Sequence, residues 1–429
     1  MGQQPPRARP VRRRALANPG FRRLVLWLAG VPLAASYLWS TLIEPLLARP
    51  PFPDFSKFYA AARAIHAGAD PYAPFFASGR YDYSQSYYIY PPLTAWLVQP
   101  LLPLGGENAA LLALVVLQVC VAVFAWLMYR ALRPSHAHEA ALGALLLFGF
   151  SPLYANLWNA QVNLLLLVLS SAVLLAYVRG DRWWGGAALG LELALKPLQP
   201  TVGLLLLWGR RWRMVAVTAL AGLAASLLPG PGLFLEYVSR VLLGAAGGTG
   251  FRDNAAPAGL FERLLHPASF YDGTAPGGVG VRLLYLAVVV AVVALTWWSL
   301  GTAPRSDPLD RALEFGAAVA AAPLLLTISH SFHLAMLILP ILVLVRAGIE
   351  RRDNRLLGAA IGGWLLIGPV HGGMLAAIAN HFALDPVLRV WNESQLLGML
   401  LLWLGCLAAL RARPSSHPAR LLPRPRFAR

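Results

Sequence analysis

A single carboxylate, Asp54, opens the stretch of this chain whose residue types are best suited to chemistry. It lies in Pro53-Asp54-Phe55-Ser56-Lys57-Phe58-Tyr59, ahead of apolar positions Phe55, Phe58, Tyr59, Ala62 and Ile65 that recur at helical spacing. Asp is a favoured helix N-cap, so capping is one reading of Asp54. The other is a general base, because burial among aromatics at a membrane surface raises a carboxyl pKa toward working pH. The two roles are compatible. Lys196 is the most telling cation, set in Leu195-Lys196-Pro197-Leu198-Gln199-Pro200 between two short apolar segments. A lysine there either snorkels to the interface or, beside the helix break that Pro197 imposes, binds an anion such as a lipid phosphate. His330 and His333 are three residues apart and share a helix side. They serve either as structural hydrogen-bonding groups or as ligands of a phosphate or sugar hydroxyl. No third or fourth ligand at metal spacing is nearby, so no metal is expected.

Aromatic and amide groups surround these candidates in the sequence. Tyr81, Asp82, Tyr83, Tyr87, Tyr88 and Tyr90 form a hydroxyl-rich run with Arg80 beside it as a further phosphate-binding candidate. Tyrosine is enriched at any membrane border, but aromatic faces with directional hydrogen bonds are also what holds a sugar ring. Asn156, Asn159, Gln161 and Asn163 crowd eight residues between apolar segments. Such amides either pin helices together or line a polar cavity. Tyr59, Tyr83, Tyr88, Tyr90, Asn159, Gln161 and Asn163 are the candidates for contact with sugar or acceptor. Arg389, Asn392 and Glu393 in a late loop are weaker candidates and read as solvated surface.

The elements that must position these groups are membrane helices. The chain has 429 residues, 58% hydrophobic and 13% charged, with long Leu, Ala and Val runs, which describes one all-α polytopic membrane domain. The net charge of +17 would suggest nucleic acid in a soluble protein, but the arginines fall in tails and short loops as topology signals, and no nucleic-acid partner is expected. The two cysteines, Cys120 and Cys406, each lie in an apolar run, so no disulfide framework is expected. Residues 1–23 carry Arg7, Arg9, Arg12, Arg13, Arg14, Arg22 and Arg23 among prolines and read as a disordered arm against the cytoplasmic leaflet. The apolar run that follows lacks a small-x-small cleavage site and reads as a retained first helix.

Residues 91–104 decide the topology. This stretch is apolar but short and interrupted by Pro100 and Pro103. Treated as a dipping juxtamembrane helix, it leaves about twelve spans, puts most of the lysines and arginines inside, and makes both termini cytoplasmic. The expected organisation is thus a basic arm (1–23), one catalytic membrane domain (24–410) with outer-face loops at 48–108 and 229–280, and a basic cytoplasmic tail (411–429). Asp54, the amide turn, Lys196 and the histidines then share the periplasmic or extracellular face of the plasma membrane. A transporter or flippase of lipid-linked sugars is the rival class. It would show charges at mid-bilayer and repeat symmetry, neither of which is evident.

Four motifs in order carry a resemblance. Asp54-Phe55 with Tyr59-x-Ala61-Ala62, Gly68-x-x-Pro71-Tyr72 and Tyr90-Pro91-Pro92-Leu93; Asn159-Ala160-Gln161-Val162-Asn163; Leu195-Lys196-Pro197-x-x-Pro200; and Ser329 through His333 together resemble glycosyltransferase family 87, of the GT-C membrane glycosyltransferases. The likeness spans about residues 53 to 340. It departs from the family at Ala160, where glycine is usual, and in the split of His330 and His333, where an adjacent pair is commoner. The resemblance, to a family that includes mannosyltransferases and an arabinofuranosyltransferase, implies a polyprenyl-phosphate sugar, a hexose such as mannose or else arabinose, as donor co-substrate with no metal cofactor, a cell-envelope glycolipid or glycan as acceptor, Asp54 as catalytic base, Lys196 as lipid-phosphate ligand and His333 as an active-site histidine. A single base with a phosphate leaving group implies inversion at the anomeric carbon.

Overall fold

The computed structural model describes residues 19–48, 52–77, 87–242, 249–251, 254–270, 278–301, 305–368 and 385–412. The readings made for most of the basic arm, for the tail beyond 412, for Arg80, Tyr81, Asp82 and Tyr83, and for the side chains of Arg389 and Asn392 lie outside the described residues. Among the described residues every regular element is a helix. The longer ones are α1 (Pro19–Leu38), α2 (Pro53–His66), α3 (Pro92–Val98), α4 (Gly106–Leu132), α5 (Ala137–Phe148), α6 (Ser151–Asn159), α7 (Asn163–Val178), α8 (Trp183–Leu195), α9 (Pro200–Trp208), α10 (Trp212–Leu227), α11 (Pro257–Leu265), α12 (Val279–Leu300), α13 (Pro308–Ala321), α14 (Ile338–Arg351), α15 (Asn354–Ile367) and α16 (Asp385–Arg411). Prolines set many of the boundaries. Pro53, Pro92, Pro200, Pro257 and Pro308 each begin a helix, where the fixed φ suits the first turn and the missing N–H leaves no bond unmade.

Among the described residues, five helical stretches are long and apolar enough to cross a membrane: Gly30–Ala48, Gly106–Leu132, Val279–Leu300, Ser331–Arg351 and Glu393–Arg411, with a sixth if the pair Trp212–Leu227 and Pro231–Val241, bent by 111°, is one broken span. Other segments expected from hydropathy to span are shorter. α7 has 16 residues, so it rises about 24 Å against a hydrocarbon core of about 30 Å. The 91–104 stretch is a seven-residue α3 followed by a six-residue 3-10 helix, Gln99–Leu104, packed on α2. Together they extend about 22 Å, too little to span unaided.

Packing sorts the helices into a centre and a rim. From Arg311 onward every residue of α13 is buried, and its alanines and Gly316 let α14 and α16 approach closely. α12 is the opposite case: only 11% of its most apolar window is buried, with Leu283, Leu286 and Val290 facing outward, as a lipid-contacting helix requires. The tightest pair is α8 on α10. A Cβ at Gly190 would lie 2.6 Å from the Thr218 carbonyl oxygen and 2.7 Å from the Gly222 nitrogen, so only glycine permits this approach. That contact matters because Lys196 caps the C-terminal end of α8.

Candidate active site

The first turn of α2 carries Asp54. Its N-cap position belongs to Phe52, held at φ 42°, and no side chain caps the helix. The capping reading of Asp54 is therefore not what the fold uses. Instead Asp54, 5% exposed, accepts from Lys57 Nζ at 2.8 Å through one oxygen and from Gln161 Nε2 at 2.8 Å through the other. Lys57 is a second cation at the site that the sequence reading passed over. Its signal was present: it stands three residues after Asp54 on the same helical face.

The amide turn between α6 and α7 is the hub that joins the other motifs. Gln161 also donates to the Tyr90 hydroxyl at 2.8 Å, and its own oxygen accepts from the Val162 N–H at 3.1 Å. Asn163 accepts from Lys196 Nζ at 3.0 Å and donates to the Phe332 carbonyl at 3.2 Å. Asn156 donates to that same carbonyl at 2.7 Å. One turn thus ties α2, the end of α8 and the His330–His333 segment together. The chain makes this turn with Ala160 in the left-handed region, φ 46°, the conformation a glycine adopts without steric cost.

Lys196 is 7% exposed at the break after α8. Its ammonium lies 4.8 Å from the Tyr90 ring centre and 5.5 Å from that of Phe332, so two aromatic faces partly replace water around it. Burial pushes its pKa down to about 7; Asp54 opposes that shift and Lys57 adds to it. α3 braces the same break, since Thr94 Oγ1 donates to the Leu195 carbonyl at 2.7 Å.

The histidines open a 3-10 turn, Ser331–Leu337, that leads into α14. His333 Nδ1 accepts from the His330 N–H at 3.2 Å, so a neutral His333 carries its proton on Nε2. The strand of chain before them is clamped by Asn254, which sequence reasoning missed. Its side chain accepts from the Ser329 N–H at 2.9 Å and donates to the Thr327 carbonyl at 3.0 Å. Nothing in a Gly- and Pro-rich loop marks one asparagine as a clamp before the fold is known. Arg263 of α11 holds the clamp in turn, donating to the Asn254 carbonyl at 2.8 Å and pairing with Glu393 at 2.9 Å.

These groups line one cavity of about 450 Å³: Asp54, Lys57, Tyr90, Lys196, His330, Phe332 and His333, with Tyr87, Tyr237, Phe251, Tyr285, Leu325 and Thr327 among its walls. The expected catalytic carboxylate, lysine and histidines are therefore together. Several expected sugar contacts are not walls of it, and each has a physical reason. Gln161 and Asn163 have no exposed surface and spend their hydrogen bonds positioning Asp54 and Lys196. Tyr88 is 5% exposed, donates to the Pro91 carbonyl at 2.6 Å and accepts from the Ala95 N–H at 3.0 Å, which locks the start of α3. Tyr59 donates to the Leu102 carbonyl at 3.0 Å and pins α2 to the 3-10 helix. Asn159 donates to the Ala155 carbonyl at 2.7 Å within its own helix. Among the described residues no three His, Cys, Asp or Glu side chains gather as a metal site.

The model of Glycosyltransferase family 87 matches residues 88–329, more than half of the chain. The chain belongs to glycosyltransferase family 87. Tyr90, the amide turn and Lys196 fall inside the matched interval of this family 87 protein, both histidines lie just past its end, and Asp54 lies well before its start. Two curated relatives, each an Alpha-(1->3)-arabinofuranosyltransferase of Mycobacterium tuberculosis (strains CDC 1551 / Oshkosh and ATCC 25618 / H37Rv), are 31% identical over 164 residues, which is 37% of this chain and 37% of each relative. The matched stretch spans little more than a third of the length of those relatives. Among solved structures, ArnT from Cupriavidus metallidurans in the apo state aligns with 89% of this chain and 78% of that one, at 14% identity and a TM-score of 0.35.

Proposed function

We propose that this family 87 protein transfers a sugar from a polyprenyl-phosphate donor to a hydroxyl of a cell-envelope glycolipid or glycan, at the outer face of the plasma membrane and with inversion. The observation that carries this reading is the pairing, in one cavity, of a buried carboxylate with a buried lysine. Asp54 takes the proton of the acceptor hydroxyl as that oxygen attacks the anomeric carbon. The bond from that carbon to the phosphate oxygen breaks on the opposite side, and polyprenyl phosphate departs. Lys196, with His333 and His330 as donors beside it, stabilises the charge that develops on the leaving phosphate. Lys57 and Gln161 hold the carboxylate in place.

A second cavity supports a lipid-linked donor. It encloses about 300 Å³ between α9, α12 and α13, is almost wholly apolar, and shares Leu325 with the catalytic cavity. α9 begins four residues after Lys196, so a phosphate held by that lysine has an apolar path for its tail next to it.

Family resemblance favours mannose as the sugar, whereas the 31% identical arabinofuranosyltransferases favour an arabinofuranose. The test presents purified protein with polyprenyl-phosphate mannose and, separately, polyprenyl-phosphate arabinofuranose, together with an envelope glycolipid extract. Turnover of either donor upholds the transfer reaction and selects the sugar. Hydrolysis-free, transfer-free recovery of both donors by a folded protein refutes it.

A further inference from the structure

The end of the molecule opposite the catalytic cavity holds another cavity, of about 570 Å³, walled by the C-terminal ends of α4, α7 and α14 and the start of α13. Three elements run between the two cavities. α7 starts at Asn163 and ends before Arg179; α8 starts after Arg182 and ends at Lys196; the Ser331–Arg351 stretch carries His333 near one end and Arg346 near the other. The 16 residues of α7 set the separation at about 24 Å.

Five arginines line this cavity, and one of them, Arg346, is paired with carboxylates; the other four are Arg130, Arg133, Arg179 and Arg182. Among the described residues none of these four has a carboxylate partner. The nearby acids are already engaged: Glu350 and Glu139 pair with Arg346 at 2.7 and 3.2 Å, Asp181 pairs with Arg211 and Arg311, and Asp307 caps α13 by accepting from two backbone N–H groups. Burial and then the charges of Arg130, Arg133 and Arg182 lower the Arg179 pKa, so the cluster repels itself as it stands. Uncompensated positive charge around a hollow is a complement for a phosphate.

Its setting selects which kind of phosphate. Trp126, Trp183, Trp212 and Trp298 are each at least half exposed near the ends of α4, α8, α10 and α12 on this side, as tryptophans at a membrane border are. Leu132, Val178 and Leu309 form apolar wall between the arginines. A phosphate bearing hydrocarbon satisfies both surfaces, whereas a soluble ion leaves the apolar wall wet. We propose that this cavity binds the headgroup phosphate of an anionic phospholipid, at the membrane face opposite the sugar-transfer site. Bound lipid offsets part of the cluster's charge and holds the ends of α4, α7 and α14 together.

The full-length protein in neutral detergent is titrated with phosphatidylglycerol or phosphatidylcholine, read by lipid retained after gel filtration and by the melting temperature. The wild type retains phosphatidylglycerol in preference to phosphatidylcholine and melts higher with it. The combined Arg130→Gln, Arg179→Gln and Arg182→Gln variant loses about tenfold in phosphatidylglycerol retention, together with the stabilisation. A variant of equal net charge, Arg63→Gln, Arg282→Gln and Arg355→Gln, keeps both. Equal retention by the first variant, or equal loss by the second, overturns the site. Full displacement of the lipid by millimolar inorganic phosphate overturns the lipid assignment in favour of a free ion. If the triple variant fails to fold, Arg182→Gln alone, at an exposed position, carries the same comparison with about a threefold loss expected; no loss there overturns the proposal.

Discussion

Lys196 holds its position at an electrostatic cost that Asp54 partly offsets and that a bound anion would relieve further. With its pKa pushed down to about 7 by burial, the ammonium is present below that pH and lost above it. A phosphate arriving beside it favours the charged form, so donor binding takes up a proton. Donor affinity is accordingly expected to fall as pH rises through about 7, approaching tenfold per pH unit well above it. The Lys196→Arg variant, which stays charged, removes that slope; donor dissociation constants from pH 6 to 9 check this, and an unchanged slope in Lys196→Arg contradicts it. Ala160 offers a test of backbone rather than charge. Its φ of 46° is a conformation better suited to glycine, so Ala160→Gly leaves the melting temperature unchanged or raises it. Ala320→Gly, in the buried interior of α13, lowers it, by about 1 kcal/mol or more of stability. Matching losses at both positions would show that the left-handed turn is not strained.

Elements rather than single side chains deliver the site: α2 brings Asp54, the α6–α7 turn brings Gln161 and Asn163, and α8 brings Lys196. Gln161→Leu keeps bulk but releases both Asp54 and Tyr90. A misplaced base costs about 100-fold in turnover, with donor binding retained because Asn163 still holds Lys196. Loss of donor binding in that variant would contradict the division of labour within the turn. Gly190→Val forces α8 away from α10, where a Cβ already lies 2.6 Å from a carbonyl oxygen. The expected cost is about 1–3 kcal/mol, read as a lower melting temperature, with turnover falling because Lys196 moves with its helix. Much of this was legible in sequence. Asp54, Lys196 and the histidines stand out because charged groups in an apolar chain have few bland explanations. The amides were harder. Four of them between apolar runs signal either a polar lining or buried struts, and composition does not separate the two; only the partners of Gln161 and Asn163 do. Lys57, three residues after Asp54 on one helical face, was within reach of local pattern, whereas Asn254 acts on residues more than seventy positions away, which local pattern does not encode.

At the scale of the whole molecule, the catalytic cavity and the arginine-lined cavity lie at opposite ends of the helices, and the proposed reaction requires the first to face outward. In a background with Cys120 and Cys406 replaced, Ser56→Cys beside Lys57 is expected to react with a membrane-impermeant thiol reagent on intact cells. Ser135→Cys, exposed in the α4–α5 loop at the arginine end, is expected to react only after permeabilisation. The reverse pattern would invert the orientation. The count of about twelve spans read from hydropathy meets a fold in which, among the described residues, five stretches are long enough to cross alone; breaks at Lys196 and at the amide turn, which build the site, also shorten the helices on either side. The most direct test of the central claim is single-turnover sugar transfer by Asp54→Asn in lipid vesicles, with donor binding measured on the same preparation. The account predicts donor affinity within a few-fold of wild type and a transfer rate lower by about 10²–10⁴. Transfer at the wild-type rate by that variant would contradict it.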